Sequence, residues 1–141
     1  MTHRAGRAFF ALAGLLLPAL SSAATTAHHS HASLDVTKRA GAHSCPSDKE
    51  LRRAVSSILG YWPFDANARR RVSAVLSTEG GTFHARIQLR DAHTHKSLGV
   101  RVLAAPGPTC EELGSAMALA IALAIDPLAQ PPPSRVRPGP L

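Results

Sequence analysis

The sequence predicts a small α+β domain: an antiparallel sheet, a three-strand meander plus an N-terminal strand, with two helices packed on one face. Three observations carry this. Apolar residues alternate with period two on both sides of a Glu79-Gly80-Gly81 turn signal. They recur with helical period after an S-x-x-E capping box at Ser47 and Glu50. A third stretch, Leu113 to Ile125, is almost wholly apolar, as in a helix buried on most of its surface.

The chain opens on a leader. Arg4 and Arg7 precede the apolar run Ala8 to Leu20, and Ser21, Ser22, Ala23 and Ala24 supply the small residues a signal peptidase needs. The run is short for a membrane span and Pro18 sits near its end. Residues 1–24 are therefore expected to be a cleaved signal peptide, with no span left after cleavage and a periplasmic or secreted product. No cysteine follows the run closely, and Arg4 and Arg7 are not adjacent, so neither a lipoprotein nor a twin-arginine signal is indicated. About 117 residues remain, enough for one domain with a real core. The formal charge of +7 falls to about +5, which suits anionic partners.

Residues 25–32 read as a flexible lead. The folded domain is expected over 33–128. Its first strand is Ser33 to Thr37, with Leu34 and Val36 on one face. The first helix follows the Ser47 box, with Leu51, Ala54, Val55, Ile58 and Leu59 on its inner stripe and Gly60 at its C-terminal end. Strand Arg70 to Ser77 presents Val72, Ala74 and Leu76 to one side. Its partner presents Phe83, Ala85, Ile87 and Leu89. A turn centred on Gly80-Gly81 sets Leu76 opposite Ala85, Ala74 opposite Ile87 and Val72 opposite Leu89, all apolar pairs. After the polar turn DAHTHKS come Leu98, Val100 and Val102, read as the core side of a third strand that ends at the loop APGPT. A second capping box, Thr109 to Glu112, is expected to start the second helix, and Asp126-Pro127 to end it. Residues 129–141 form a proline-rich tail that cannot fold alone.

In an oxidising compartment, the isolated pair Cys45 and Cys110 is most simply a disulfide. It would tie the two helix starts and close a loop of about 65 residues, worth about 4 kcal/mol in the chain-entropy model. A metal pair with histidines or a redox couple are the alternatives, without the C-x-x-C spacing that marks either.

Alternation places Arg71, His84, Arg86 and Arg90 on the side of the sheet away from the helices, and Arg101 joins them if Val100 and Val102 face the core. These five are the candidate binding residues. Arg71 falls opposite Arg90, an unfavourable like-charge pair unless a carboxylate, an anion or a partner relieves it. The competing reading is an ordinary solvated face. No aromatic interleaves with the arginines, so specific nucleic-acid binding is not expected. His28, His29, His31, His43, His84, His93 and His95 include His-x-His pairs of the kind that hold Zn, Cu or Ni. No acid or cysteine accompanies them at a firm spacing, so no metal ligands are assigned. Tyr61, Trp62 and Phe64 read as core closure, with a glycan or peptide platform as the alternative. No nucleophile elbow, phosphate loop or zinc-protease helix is present in the sequence. No cofactor and no catalytic residue is assigned.

The stretches CPSDKELRRAVSSILGYWPFD, RIQLRDAHTHKSLGVRVL and CEELGSAMALAIALAIDPLA span roughly residues 45–129. Together they resemble a group of uncharacterised exported proteins of myxobacterial type, marked by an LGYxPF turn and a cysteine-capped ALAIALAIDP helix. Trp62 fills the variable slot. The resemblance implies fold and compartment and no chemistry. It also implies relatives that continue through a proline-rich linker into a further domain, so this chain would be a stand-alone version or one whose partner domain is lost.

The function expected from these readings is a non-enzymatic, exported interaction domain of the cell envelope. Its partner would be an envelope protein or an anionic surface. A periplasmic His-rich metal-binding protein comes second and a small exported enzyme third.

Overall fold

The computed structural model describes residues 28–128. The expected leader (1–24), the first part of the lead and the tail (129–141) lie outside the described residues. The elements are β1 (Ala32–Lys38), α1 (Asp48–Leu59), β2 (Arg70–Glu79), β3 (Thr82–Asp91), β4 (Ser97–Pro106) and α2 (Glu111–Ile125). The strands form one sheet in the order β1-β2-β3-β4. Both helices lie on the same side of it: α2 packs on β3 and β4, and α1 packs chiefly on α2 and reaches β1. The α+β class and the two-helix layer therefore stand.

The sheet itself is mixed, not wholly antiparallel: β1 runs parallel to β2, with Leu34 opposite Val72 and Val36 opposite Ala74. The connection explains it. A helix lies between β1 and β2, and such a crossover returns the chain to run in the same direction.

The β2–β3 pairing follows the expected register, Val72 to Leu89, Ala74 to Ile87 and Leu76 to Ala85. Gly80 and Gly81 both take positive φ, 56° and 77°. Two such residues make the two-residue turn whose twist matches the flanking strands, and few residues but glycine adopt it cheaply.

Two local expectations need correction. Strand β4 is longer than expected, continuing through Ala104, Ala105 and Pro106. Helix α2 has Cys110 at its N-cap, with no side-chain cap bond. Thr109 thus falls outside the helix and its box does not form, because Cys110 turns inward to Cys45. Helix α1, by contrast, has the full box. The Glu50 amide donates to Ser47 Oγ, and the Ser47 amide donates to Glu50 Oε2 at 2.8 Å.

The core lies between sheet and helices. Val72, Ala74, Leu76, Ala85 and Ile87 meet Leu51, Val55, Leu113, Met117, Ile121 and Ile125. Cys45 and Cys110 are bonded and buried, with their Cα atoms 4.8 Å apart, and they join the segments that start the two helices. Next to them Gly114 lets α2 approach Pro46: a Cβ there would stand 3.0 Å from the proline ring.

The β3–β4 turn is organised by Asp91. Its Oδ1 accepts from the amides of His93 and Thr94, at 3.0 and 2.9 Å, and its Oδ2 accepts from Arg69 Nε at 3.0 Å. These donors, the Thr94 amide first and then Arg69, hold the Asp91 carboxyl well below the usual carboxylate range. A pKa depressed in the folded state gives stability that is present above the unfolded value, near 3.8, and lost as pH falls through the folded one. Thermal unfolding followed from pH 5 down to pH 2 is therefore expected to show a steeper loss of Tm in the wild type than in Asp91→Asn, which has no such proton to bind. Equal slopes would remove Asp91 from the acid response.

Candidate functional site

The face of the sheet away from the helices carries the expected basic row, less one member. On β2 and β3 the outward positions are Arg71, Ser73, Val75, Ser77 and Glu79, then Thr82, His84, Arg86, Gln88 and Arg90. Arg71 stands opposite Arg90, Ser77 opposite His84 and Val75 opposite Arg86. Arg71, Arg86 and Arg90 are exposed, while His84 is half-buried.

Arg101 does not belong to this row. It pairs with Ile87, whose side chain faces the helices, so Arg101 lies on the helix side at the sheet edge. Val100 and Val102, expected in the core, lie on the open face opposite Gln88 and Arg86. Apolar alternation misled here because β4 is apolar on both sides: Leu103 and Ala105 oppose Ala85 and Phe83 on the helix side. An edge position lets the Arg101 side chain lie along α2 and still reach water.

The like-charge pair has the carboxylate its chemistry asks for. Asp35, on β1, places Oδ2 3.8 Å from Arg71 Nε, in an exposed ion pair of modest strength. Arg86 and Arg90 have no ion-pair partner among the described residues. Asp35 and Arg71 also border a hollow of about 430 Å³ lined by Ser33, Arg52, Trp62 and Phe64. Arg52 is committed there, donating to Asp48 and, at 2.5 Å, to the Leu34 carbonyl, with its guanidinium 4.9 Å from the Phe64 ring centre.

The aromatic turn divides its labour. Phe64 is buried, as core closure requires. Trp62 is 56% exposed and meets Phe64 edge-on, so it does not close the core. Tyr61 is a latch: its hydroxyl lies 3.1 Å from both the Ser30 carbonyl and Asp126 Oδ2, tying the lead to the end of α2. Burial, and then the bond with Asp126, raise its pKa.

No protein-family model and no curated protein matches the chain. Among solved structures it is similar to the PelC dodecamer from Paraburkholderia phytofirmans, at 9% identity over 67% of this chain and 85% of that one, with a TM-score of 0.47. It is also similar to TolB from Acinetobacter baumannii, at 14% identity over 73% of this chain, with a TM-score of 0.48. The chain spans 30% of that TolB chain.

Of the histidines, His29 stacks on the Tyr61 ring at 4.1 Å and His31 meets it edge-on. His84 is on the open face, and His93 and His95 lie in the β3–β4 turn. Among the described residues no three His, Cys, Asp or Glu side chains come together as metal ligands would. The Asp35 carboxylate and the exposed Trp62 are the site features the sequence reading missed. The parallel pairing of β1 is what brings Asp35 beside Arg71, and a strand followed by a helix and another strand was its available signal.

Proposed function

We propose that this protein is a non-enzymatic domain exported to the periplasm or beyond, and that its open sheet face binds an anionic partner of the cell envelope. One observation carries the reading. Arg71, His84, Arg86 and Arg90 share a face that neither described helix covers, and among the described residues only two acids share it, Asp35 beside Arg71 and Glu79 at the hairpin end beyond His84. A surface with a net basic charge draws acidic partners over a range set by ionic strength. The leader sequence and the Cys45–Cys110 bond support export.

The test is capture from envelope extract by the wild type and by Arg71→Glu/Arg86→Glu/Arg90→Glu. The triple variant is expected to lose the acidic proteins or lipids that the wild type retains. Identical retained material would remove the face from consideration.

A further inference from the structure

The two edges of the sheet are treated differently. At the β1 edge the outward backbone is occupied in the first part of the strand. The Ala32 amide donates to Pro63 O at 3.0 Å, the Asp65 amide donates to Ala32 O at 3.1 Å, and Arg52 takes the Leu34 carbonyl. Such covering is how sheet edges are kept from pairing with other chains.

The β4 edge has none of this. The turn closes on Glu79 and Thr82, so even-numbered residues of β3 bond β2, as the Ala92 amide donating to Arg69 O also shows. Odd-numbered residues of β3 bond β4, and the Gly107 amide donating to Gly81 O follows the same parity. On β4 the inward backbone groups are thus those of Gly99, Arg101, Leu103 and Ala105. Those of Val100, Val102 and Ala104 point outward, and no partner takes them among the described residues. Side chains along this edge are apolar and exposed: Leu98, Val100, and Val102 at 65%. On the helix layer Leu119 and Leu123 continue the patch, and Leu123 shares a hollow with Leu98, Val100 and Arg101.

We infer that the β4 edge is a self-pairing surface, on which a second copy of this chain adds its own β4 antiparallel across a two-fold axis at Val102. The register follows from parity and charge. Hydrogen-bonded pairs must join outward residues, which leaves two nearly full-length registers. One sets Arg101 against its own copy, which like charges oppose. The other sets Val102 on Val102, Val100 on Ala104, and Arg101 on Leu103, apolar to apolar across the whole open side. It makes about six inter-strand bonds, two per hydrogen-bonded pair. Pro106, which has no amide to donate, falls at the end of the ladder, where a proline is tolerated. A ten-residue edge is about 33 Å long, and with the helix layer the contact is about 20 Å deep, giving roughly 1,300 Å² in total, above the ~1,000 Å² that a specific interface needs. The patch carries one charge, Arg101, so a second copy matches it better than an acidic partner does. This surface adjoins the basic row at Arg86, which pairs with Val102, but the inference does not rest on that row.

The experiment is sedimentation of the exported full-chain product from about 5 to 500 µM, a range that brackets weak to moderate affinities. A monomer–dimer equilibrium is expected for the wild type. Val102→Pro removes an outward amide without touching the β3 ladder, and Val102→Lys places two charges at the axis. Both are expected to weaken dimerisation at least tenfold with unchanged circular dichroism, and Val102→Lys decides the matter if the proline variant misfolds. Arg71→Glu/Arg90→Glu, which spares Arg86 beside Val102, is expected to dimerise as the wild type does, so failure of the basic face and failure of the edge are told apart. A wild type that stays monomeric throughout, or an oligomer that neither Val102 variant weakens, would overturn the inference.

Discussion

Replacing Cys45 and Cys110 together by alanine is expected to lower the unfolding free energy by about 2–5 kcal/mol. The pair closes a loop of 65 residues that holds α1 and the three strands β2, β3 and β4. Without the bond the unfolded chain regains the freedom of that loop. The native state also loses its tie at the point where α1 and α2 begin, beside the close approach of Gly114 to Pro46. Urea unfolding of the oxidised wild type, the reduced wild type and the double variant measures this. The last two are expected to coincide, and a double variant within about 1 kcal/mol of the oxidised protein would show that packing alone sets the helix starts.

Ile121→Ala is expected to cost a similar amount, about 2–5 kcal/mol. Ile121 is fully buried midway along α2, in the core cluster between the helices and the sheet. Removing its outer carbons leaves a void that neighbours held by sheet and disulfide can only partly fill. A fall in Tm of roughly 10–20 °C follows for a domain of this size. Leu119→Ala, at an exposed position on the same helix, serves as the reference and is expected to change the monomer's stability by under about 1 kcal/mol. Equal effects at the two positions would mean that α2 is not seated as described.

Local signals in the sequence were legible where one physical cause dominated. Ser47, Glu50 and Gly60 mark both ends of α1 because unsatisfied backbone groups there select those residues. Gly80-Gly81 sets the β2–β3 register because few other residues make that turn. Where two causes competed, the sequence was ambiguous. Strand β4 carries apolar residues on both faces, and the register shift at Leu89/Arg90 moves its alternation. Arg101 was therefore assigned to the wrong face, and the exposure of Val100 and Val102 went unforeseen. The direction of β1 has no signature in its own residues and is set by the crossover through α1. Asp35 consequently entered the site only with the fold. Thr109 looked like a cap, and the pull of Cys110 toward Cys45, a contact between residues distant in sequence, displaced it.

The measurement that bears most directly on the basic face is binding of the protein to two polyanions, phosphatidylglycerol vesicles and polyglutamate, at low and high salt. It compares the wild type with Arg71→Glu/Arg86→Glu/Arg90→Glu, and with Arg39→Glu/Lys49→Glu/Arg53→Glu, which changes the charge equally at exposed residues off that face. The predicted result is salt-sensitive wild-type binding to at least one probe, lost about tenfold or more in the face variant and largely kept in the control. Binding to neither probe, or equal loss in both variants, would contradict a specific anion-binding face and leave only the net charge of the chain.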